Sequence, residues 1–281
     1  MRYFVCLLDR NGEPISSATR RTYESLPRSR GLAYTWLLDG DAAVLTAWDN
    51  PFGEPLVIRE GDDFAAGLVR LDNRRDVERL TCTASQGLSN LSLVYRLIAQ
   101  GGPARVRDLL GDFAFVIWYR HTRTAIAATD PFNVRRLFRA DRGGVLAFSS
   151  RAEALVTEER YDPRYLAERV ALCTPTEGVT VYSGVSALPA ATVTVEGDVA
   201  PVSRRYWTPD EFEPRPDTSL SRSATPSKLC EISSLSPYVL ASAITAPLGL
   251  TYLAVWTRPP LSVLPSGWSH KGWPRSASRA R

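Results

Sequence analysis

Short apolar runs separated by turn residues dominate the first two-thirds of the chain. Residues 2–8 are apolar and β-prone and stop at the turn Asp9-Arg10-Asn11-Gly12. Residues 32–38 and 43–48 flank Asp39-Gly40-Asp41, which predicts a hairpin, and 55–59 and 64–71 predict two further strands. A helix is predicted over 73–80, capped by Asn73. A second is predicted over 90–99, where apolar positions 91, 93, 94, 97 and 98 form one stripe behind an Asn90 cap. Four runs follow, 113–119, 124–128, 134–140 and 144–149, and the short turns between them predict a single antiparallel meander. Residues 151–156 and 163–172 read as short helices, and 179–182, 191–195 and 201–206 as closing extended segments. Strand runs around short helices predict an α+β layered domain, without internal repeats.

Composition changes this picture at the C-terminal end. The 281 residues carry a net charge of +4 and a pI near 9.0, which invites a nucleic-acid reading. Residues 1–217, however, hold 27 Arg, no Lys and 29 acids, a net of −2. Residues 218–281 hold 5 Arg, 2 Lys and the single acid Glu231, a net of +6. The basic character thus belongs to the tail, and nucleic acid is not expected as a partner. Domains are expected at 1–216 and 217–281. Cys6, Cys82, Cys173 and Cys230 are widely spaced and signal neither a zinc site nor a disulfide framework, so no metal site is expected. His121 and His270 are the only histidines, and neither sits in a nucleophile context. The opening MRYFVCLLDRNG is too short in its apolar run for a signal peptide, and a reducing cytoplasm is the expected location.

Candidate chemistry centres on residues 109–140, LLGDFAFVIWYRHTRTAIAATDPFNVRRLFRA. Gly111-Asp112-Phe113-Ala114-Phe115 is followed by Asp130-Pro131-Phe132 and Val134-Arg135, then by Phe148-Ser149-Ser150-Arg151-Ala152-Glu153-Ala154-Leu155. Tyr182-Ser183-Gly184-Val185, Leu188-Pro189 and Tyr206-Trp207 close the series. In order and spacing these segments resemble the asparagine synthase (glutamine-hydrolysing) family over about residues 1–210. The resemblance is to its N-terminal class II glutamine amidotransferase domain. It implies an α+β, Ntn-hydrolase-like fold, a four-layer αββα sandwich. It also implies a reaction, ATP-dependent amide formation on aspartate or a peptide carboxylate with glutamine as nitrogen donor.

The family's nucleophile is an N-terminal Cys whose free α-amine acts as base. Here position 2 is Arg2, and Cys6 lies inside the first strand, where it is expected to be a small buried hydrophobe. No catalytic residue is therefore expected. The family's glutamine-reading segment falls on Leu68-Val69-Arg70-Leu71-Asp72-Asn73, so an Arg stands where a carboxylate meets the substrate ammonium. A later Ser-Asp pair becomes Ser89-Asn90. The family positions left for substrate binding are Arg70, Asp72, Asn73, Asn90, Asp112 and Arg135. Each has a plainer role open to it. Asp72-Asn73 can be a helix cap, residues 111–115 the entry to a core strand, and Asp130-Pro131 a turn locking two strands. Arg135 and Arg136 can be solvated strand-end charges or contacts to a synthetase domain. The run Arg70-Leu71-Asp72-Asn73-Arg74 is similar to asparagine synthase-like proteins of peptide-tailoring clusters, such as lasso-peptide cyclases.

The family continues with a synthetase domain whose Ser-Gly-Gly-Leu-Asp-Ser loop cradles pyrophosphate, using ATP and Mg2+. No Ser-Gly-Gly occurs in this chain, and no cofactor is expected in it. The last 64 residues hold 13 Ser and 7 Pro with no sustained period, which predicts a disordered, non-native tail. Codons for residues 252–260, read in the shifted frame, force an Asp at the Trp256–Thr257 junction and permit Ser-Gly-Gly-Leu-Asp-Ser-Ser-Ala around it. The expectation is a frameshift between about Pro214 and Thr225. A rival reading is a membrane span over 232–257, which has no charge; Pro237 and Pro247 interrupt it, and no membrane association is expected. The truncated chain is expected to be inactive alone. The alternative is a non-catalytic scaffold that binds a peptide substrate or a separate synthetase partner.

Overall fold

In the computed structural model, residues 1–82, 87–158, 160–197 and 201–209 are described. The tail at 217–281, with the disorder and membrane span read from its sequence, lies outside the described residues. The chain divides into two units, Met1–Pro214 and Arg215–Arg281, and all the described residues belong to the first.

Alternation of side chains along doubly buried strands builds the architecture. Arg2–Asp9 (β1) turns Phe4, Cys6 and Leu8 to one face and Tyr3, Val5 and Leu7 to the other, and all six are buried. Ser17–Tyr23 (α1) and Ser25–Ser29 (α2) follow, then the hairpin Ala33–Asp39 (β2) and Ala42–Trp48 (β3), paired as the Asp39-Gly40-Asp41 signal predicts. Val57–Glu60 (β4) pairs with Asp63–Leu71 (β5). Arg74–Leu80 (α3) and Asn90–Gly101 (α4) come next, before Gly111–Tyr119 (β6) and Thr124–Thr129 (β7). Phe138–Arg142 (β8), Val145–Ser149 (β9), Pro163–Val170 (α5), Val185–Ala187 (β10), Thr192–Glu196 (β11) and Val202–Arg205 (β12) complete the unit.

Two six-stranded antiparallel sheets result, ordered β10-β8-β9-β1-β3-β2 and β12-β11-β7-β6-β5-β4. Phe4, Cys6, Leu8, Val44 and Phe148 of the first meet Phe64, Ala66, Ala114, Val116 and Trp118 of the second in one apolar layer. Phe113, Phe115 and Ile117, one residue out of step, face Leu91, Val94, Leu97 and Ile98 of α4. Tyr3, Val5, Leu7 and Leu45 face Ile15, Tyr23 and the 3-10 turn Ala152–Leu155. The order helix, sheet, sheet, helix is the expected four-layer α+β sandwich.

Several expectations are corrected. The four runs between 113 and 149 are not one meander: β6–β7 is a hairpin of the second sheet and β8–β9 a hairpin of the first. The chain changes sheets at Asp130, whose buried carboxylate accepts the N–H groups of Phe132 (3.0 Å), Val134 (3.0 Å) and Arg135 (2.9 Å), with Asn133 at φ +53°. The Asp130-Pro131 turn thus locks strands of different sheets. Ser89, not Asn90, caps α4, its Oγ accepting from Ser92 N at 3.1 Å. Asn73 occupies the cap position of α3 without capping it; its side chain bonds Asp108 O (2.8 Å) and Leu110 N (3.0 Å) instead. Residues 152–155 form a 3-10 turn rather than an α-helix, and 179–182 contribute only isolated bridges. Helices α1 and α2, the 3-10 turn Pro103–Asp108 and β10 carried no recognised sequence signal.

Candidate functional site

The start of β1, the end of β5 and the amino end of α4 converge on a cavity of about 280 Å³. Arg2, Glu54, Arg70, Asn90 and Arg135 supply its polar lining, and Leu56, Leu68 and Leu91 its apolar lining. Arg70, Asn90 and Arg135 of the sequence-predicted set therefore share one cavity. Asp72 and Asp112 stand behind Arg70, and Asn73 belongs to the neighbouring turn described above.

Arg70 ends β5 opposite Asp112 of β6, a pairing that depends on Gly111 at φ +138°. Its Nε donates to Asp112 Oδ2 at 3.0 Å and its Nη1 to Asp72 Oδ1 at 2.6 Å. The hydrogen bond from Arg70 holds the Asp112 carboxyl below the usual carboxylate range, and the nearby Arg135 charge adds to this. The Arg70 charge is thus already matched by two carboxylates of the chain.

The side-chain oxygen of Asn90 accepts from Arg74 Nη1 at 2.7 Å, and Arg74 Nη2 also donates to Leu88 O at 2.8 Å. The Asn90 main-chain N–H donates to Glu54 Oε2 at 2.9 Å. Arg135 is held through its backbone by Asp130, while its exposed guanidinium has no ion-pair partner among the described residues. Arg2 donates to the carbonyls of Phe52 (3.2 Å) and Glu54, clasping the loop between β3 and β4. Arg2 and Glu54 were not anticipated as site residues. They lie 52 residues apart in sequence, and only the Pro51-Phe52-Gly53-Glu54-Pro55 turn cluster marks the loop.

No thiol reaches this cavity among the described residues. Cys6 is fully buried, opposite Val44 and Phe148 in the layer between the sheets, and burial pushes its thiol up beyond the usual range. Cys82 and Cys173 are exposed beyond the ends of α3 and α5. Among the described residues there is no group of three or more His, Cys, Asp and Glu side chains placed to hold a metal ion. Nor is any helix among them long and apolar enough to cross a membrane.

Residues 77–207 match the glutamine amidotransferase domain family, so the chain carries a glutamine amidotransferase-like domain. Among solved structures, it is similar to the glutamine phosphoribosylpyrophosphate (PRPP) amidotransferase from B. subtilis complexed with ADP and GMP. That match has 14% identity and a TM-score of 0.47, covering 73% of this chain and 49% of that one. A structure described as the allosteric regulatory enzyme of purine biosynthesis matches at 15% identity and a TM-score of 0.45, with the same coverage. The chain spans about half the length of these two structures. A comparison with curated proteins gives no match.

Proposed function

We propose that residues 1–216 form a glutamine amidotransferase-like domain of the asparagine synthase type that does not hydrolyse glutamine. It serves as a scaffold for a peptide substrate or a separate synthetase partner. Hydrolysis in this class requires a thiolate to attack the glutamine carboxamide. The observation that carries the reading is Cys6, sealed between the two sheets with its thiol held neutral. The cavity is consistent with it: the sequence resemblance sets Leu68 and Arg70 where the family reads the substrate amide and ammonium, and the side-chain oxygen of Asn90 already accepts from Arg74.

The family reaction, amidation of aspartate or of a peptide carboxylate, draws on ATP and Mg2+. The described cysteines are all unpaired, which suits the reducing cytoplasm where we place the protein. A glutaminase assay on the purified chain tests the proposal. Glutamate release should stay at the buffer level; release that scales with protein concentration would overturn the proposal, whether or not it survives Cys6→Ala substitution. A precursor-peptide gene and a protease gene beside this one would favour the peptide-tailoring setting over asparagine synthesis.

A further inference from the structure

Four strands end the two sheets, and three of them are blunted in ways that keep sheet edges from pairing. Val185–Ala187 (β10) has three residues. Val202–Arg205 (β12) has four, two of them Arg204 and Arg205, and Val57–Glu60 (β4) has four that include Arg59 and Glu60. Ala33–Asp39 (β2) has seven residues and one charge, Asp39, which is buried at its end and paired with Arg59 and Arg120. The strand pairs with β3 over its whole length, and its backbone groups bond no other described residue. Its outer row of N–H and C=O groups is therefore open. Trp36 donates to Glu24, between α1 and α2, at 3.0 Å and holds the strand in place. On the opposite face, Thr35 lines a cleft of about 360 Å³ together with Thr46, Trp48, Leu56 and Val57. Val57 belongs to β4, so the cleft is the gap between edge strands of the two sheets. Arg2 and Leu56 also line the candidate-site cavity.

We propose that β2 binds an extended peptide as an added strand, with alternate side chains of the peptide entering the cleft. An open edge supplies main-chain hydrogen bonds to an extended segment, and a pocket beside it selects among alternate side chains. Arg2, the charged group of the lining, is spent on the carbonyls of Phe52 and Glu54, so the cleft calls for an aliphatic side chain. A second copy of the chain fits less well. Its own β2 would turn Thr35 and Leu37 toward the cleft, and Leu37 is already packed into that copy's layer between the sheets. The proposal gives the scaffold reading its peptide-binding surface and rests on that reading for the kind of partner. The two fail separately, because glutamate release bears on the loss of hydrolysis and peptide binding at β2 does not depend on it.

Fluorescence anisotropy of the full chain with a labelled heptapeptide that alternates threonine and leucine tests the proposal. Two forms of the same peptide, N-methylated at every second residue in opposite phases, are measured beside it. The unmodified peptide should bind. One methylated form should bind roughly tenfold or more weakly, because its edge-facing amides can no longer donate, and the other should bind like the unmodified peptide. Serine in place of leucine should weaken binding severalfold. Added peptide should slow hydrogen exchange in residues 33–39 and not in β10 or β12. Thr35→Lys puts a charge at an exposed edge position and should weaken the peptide by a similar factor while keeping the parent circular dichroism spectrum. Leu38→Lys, also at an exposed position, is the reserve variant should the first fail to fold. Absence of binding at millimolar peptide would overturn the proposal, as would equal binding of all three backbone forms, slowed exchange elsewhere than 33–39, or a folded Thr35→Lys variant that binds like the parent. Protection of 33–39 that grows with the concentration of the chain alone would assign the edge to a second copy and overturn it as well.

Discussion

Arg139 of β8 in one sheet grips Glu196 of β11 in the other, Nε to Oε1 at 2.6 Å and Nη2 to Oε2 at 2.9 Å. Glu196 is 2% exposed, and Arg10 adds a third bond to it at 3.1 Å. A buried carboxylate between two sheets is stable only while its cations are in place. Glu196→Ala leaves Arg10 and Arg139 with only the half-exposed Asp141 and should lower the unfolding free energy by about 1.5–3 kcal/mol through the lost charge-assisted bonds. Arg139→Ala should cost at least as much, because Glu196 stays buried with only the Arg10 bond left. Urea unfolding monitored by tryptophan fluorescence measures both; a Glu196→Ala variant within about 1 kcal/mol of the parent would contradict this account.

Cys6 makes a prediction about reactivity. Its sulfur lies among Phe4, Leu8, Val44 and Phe148, whereas Cys82 and Cys173 are exposed. Brief alkylation with iodoacetamide should label Cys82 and Cys173 and spare Cys6 until denaturant is added. Tryptic mapping by mass spectrometry reads the result directly. Native labelling of Cys6 at the rate of the exposed thiols would refute the packing that excludes it from catalysis.

The strands were legible because each buried face has its own chemistry. Phe113, Phe115 and Ile117 alternate with Ala114, Val116 and Trp118, and the two sets reach different layers. The change of sheet at Asp130 was not legible, since β7 and β8 are separated by a turn of ordinary composition and only the three N–H bonds to one carboxylate reveal its purpose. Ser89 and Asn90 are both good caps, and the register of α4 alone decides between them. Within the cavity, Arg70, Asn90 and Arg135 could be named from the motif resemblance. Arg2 and Glu54 could not, because their meeting depends on a loop folding back over the start of β1.

Stability should decline on the alkaline side. Burial raises the thiol of Cys6 and the phenols of Tyr3, Tyr23 and Tyr206 above their ordinary values. A raised folded value means the stabilisation is complete below the unfolded value and is lost as pH rises through the folded one. Unfolded Cys ionises near about 8.5 and Tyr near about 10, so the loss should begin above roughly pH 8.5 and steepen above roughly pH 10. Both lysines of the chain fall in the last 64 residues, so lysine titration does not compete within the domain. Melting temperatures from pH 7 to 11 test this. Cys6→Ala should flatten the first part of the decline and leave the second; a profile level to pH 11 would be incompatible with these buried groups.

Gly111 links the fold to the cavity. It sits at φ +138°, a conformation that side chains rarely adopt, where it pairs with Leu71 at the end of β5. A Cβ added there would lie 2.0 Å from the carbonyl oxygen of Arg70, a main-chain atom that cannot swing aside. Relief requires β5 and β6 to separate at the place where Arg70 meets Asp112 across the pair. Gly111→Ala should therefore destabilise the domain by at least about 2 kcal/mol, combining strain with overpacking. It should also move the Asp112 carboxyl up toward its ordinary range, because the Arg70 hydrogen bond that holds it down is lost. Carboxyl-carbon chemical shifts followed through an acid titration would detect that change apart from stability. A variant that unfolds like the parent and leaves Asp112 depressed would show that the strand ends yield more readily than this geometry allows.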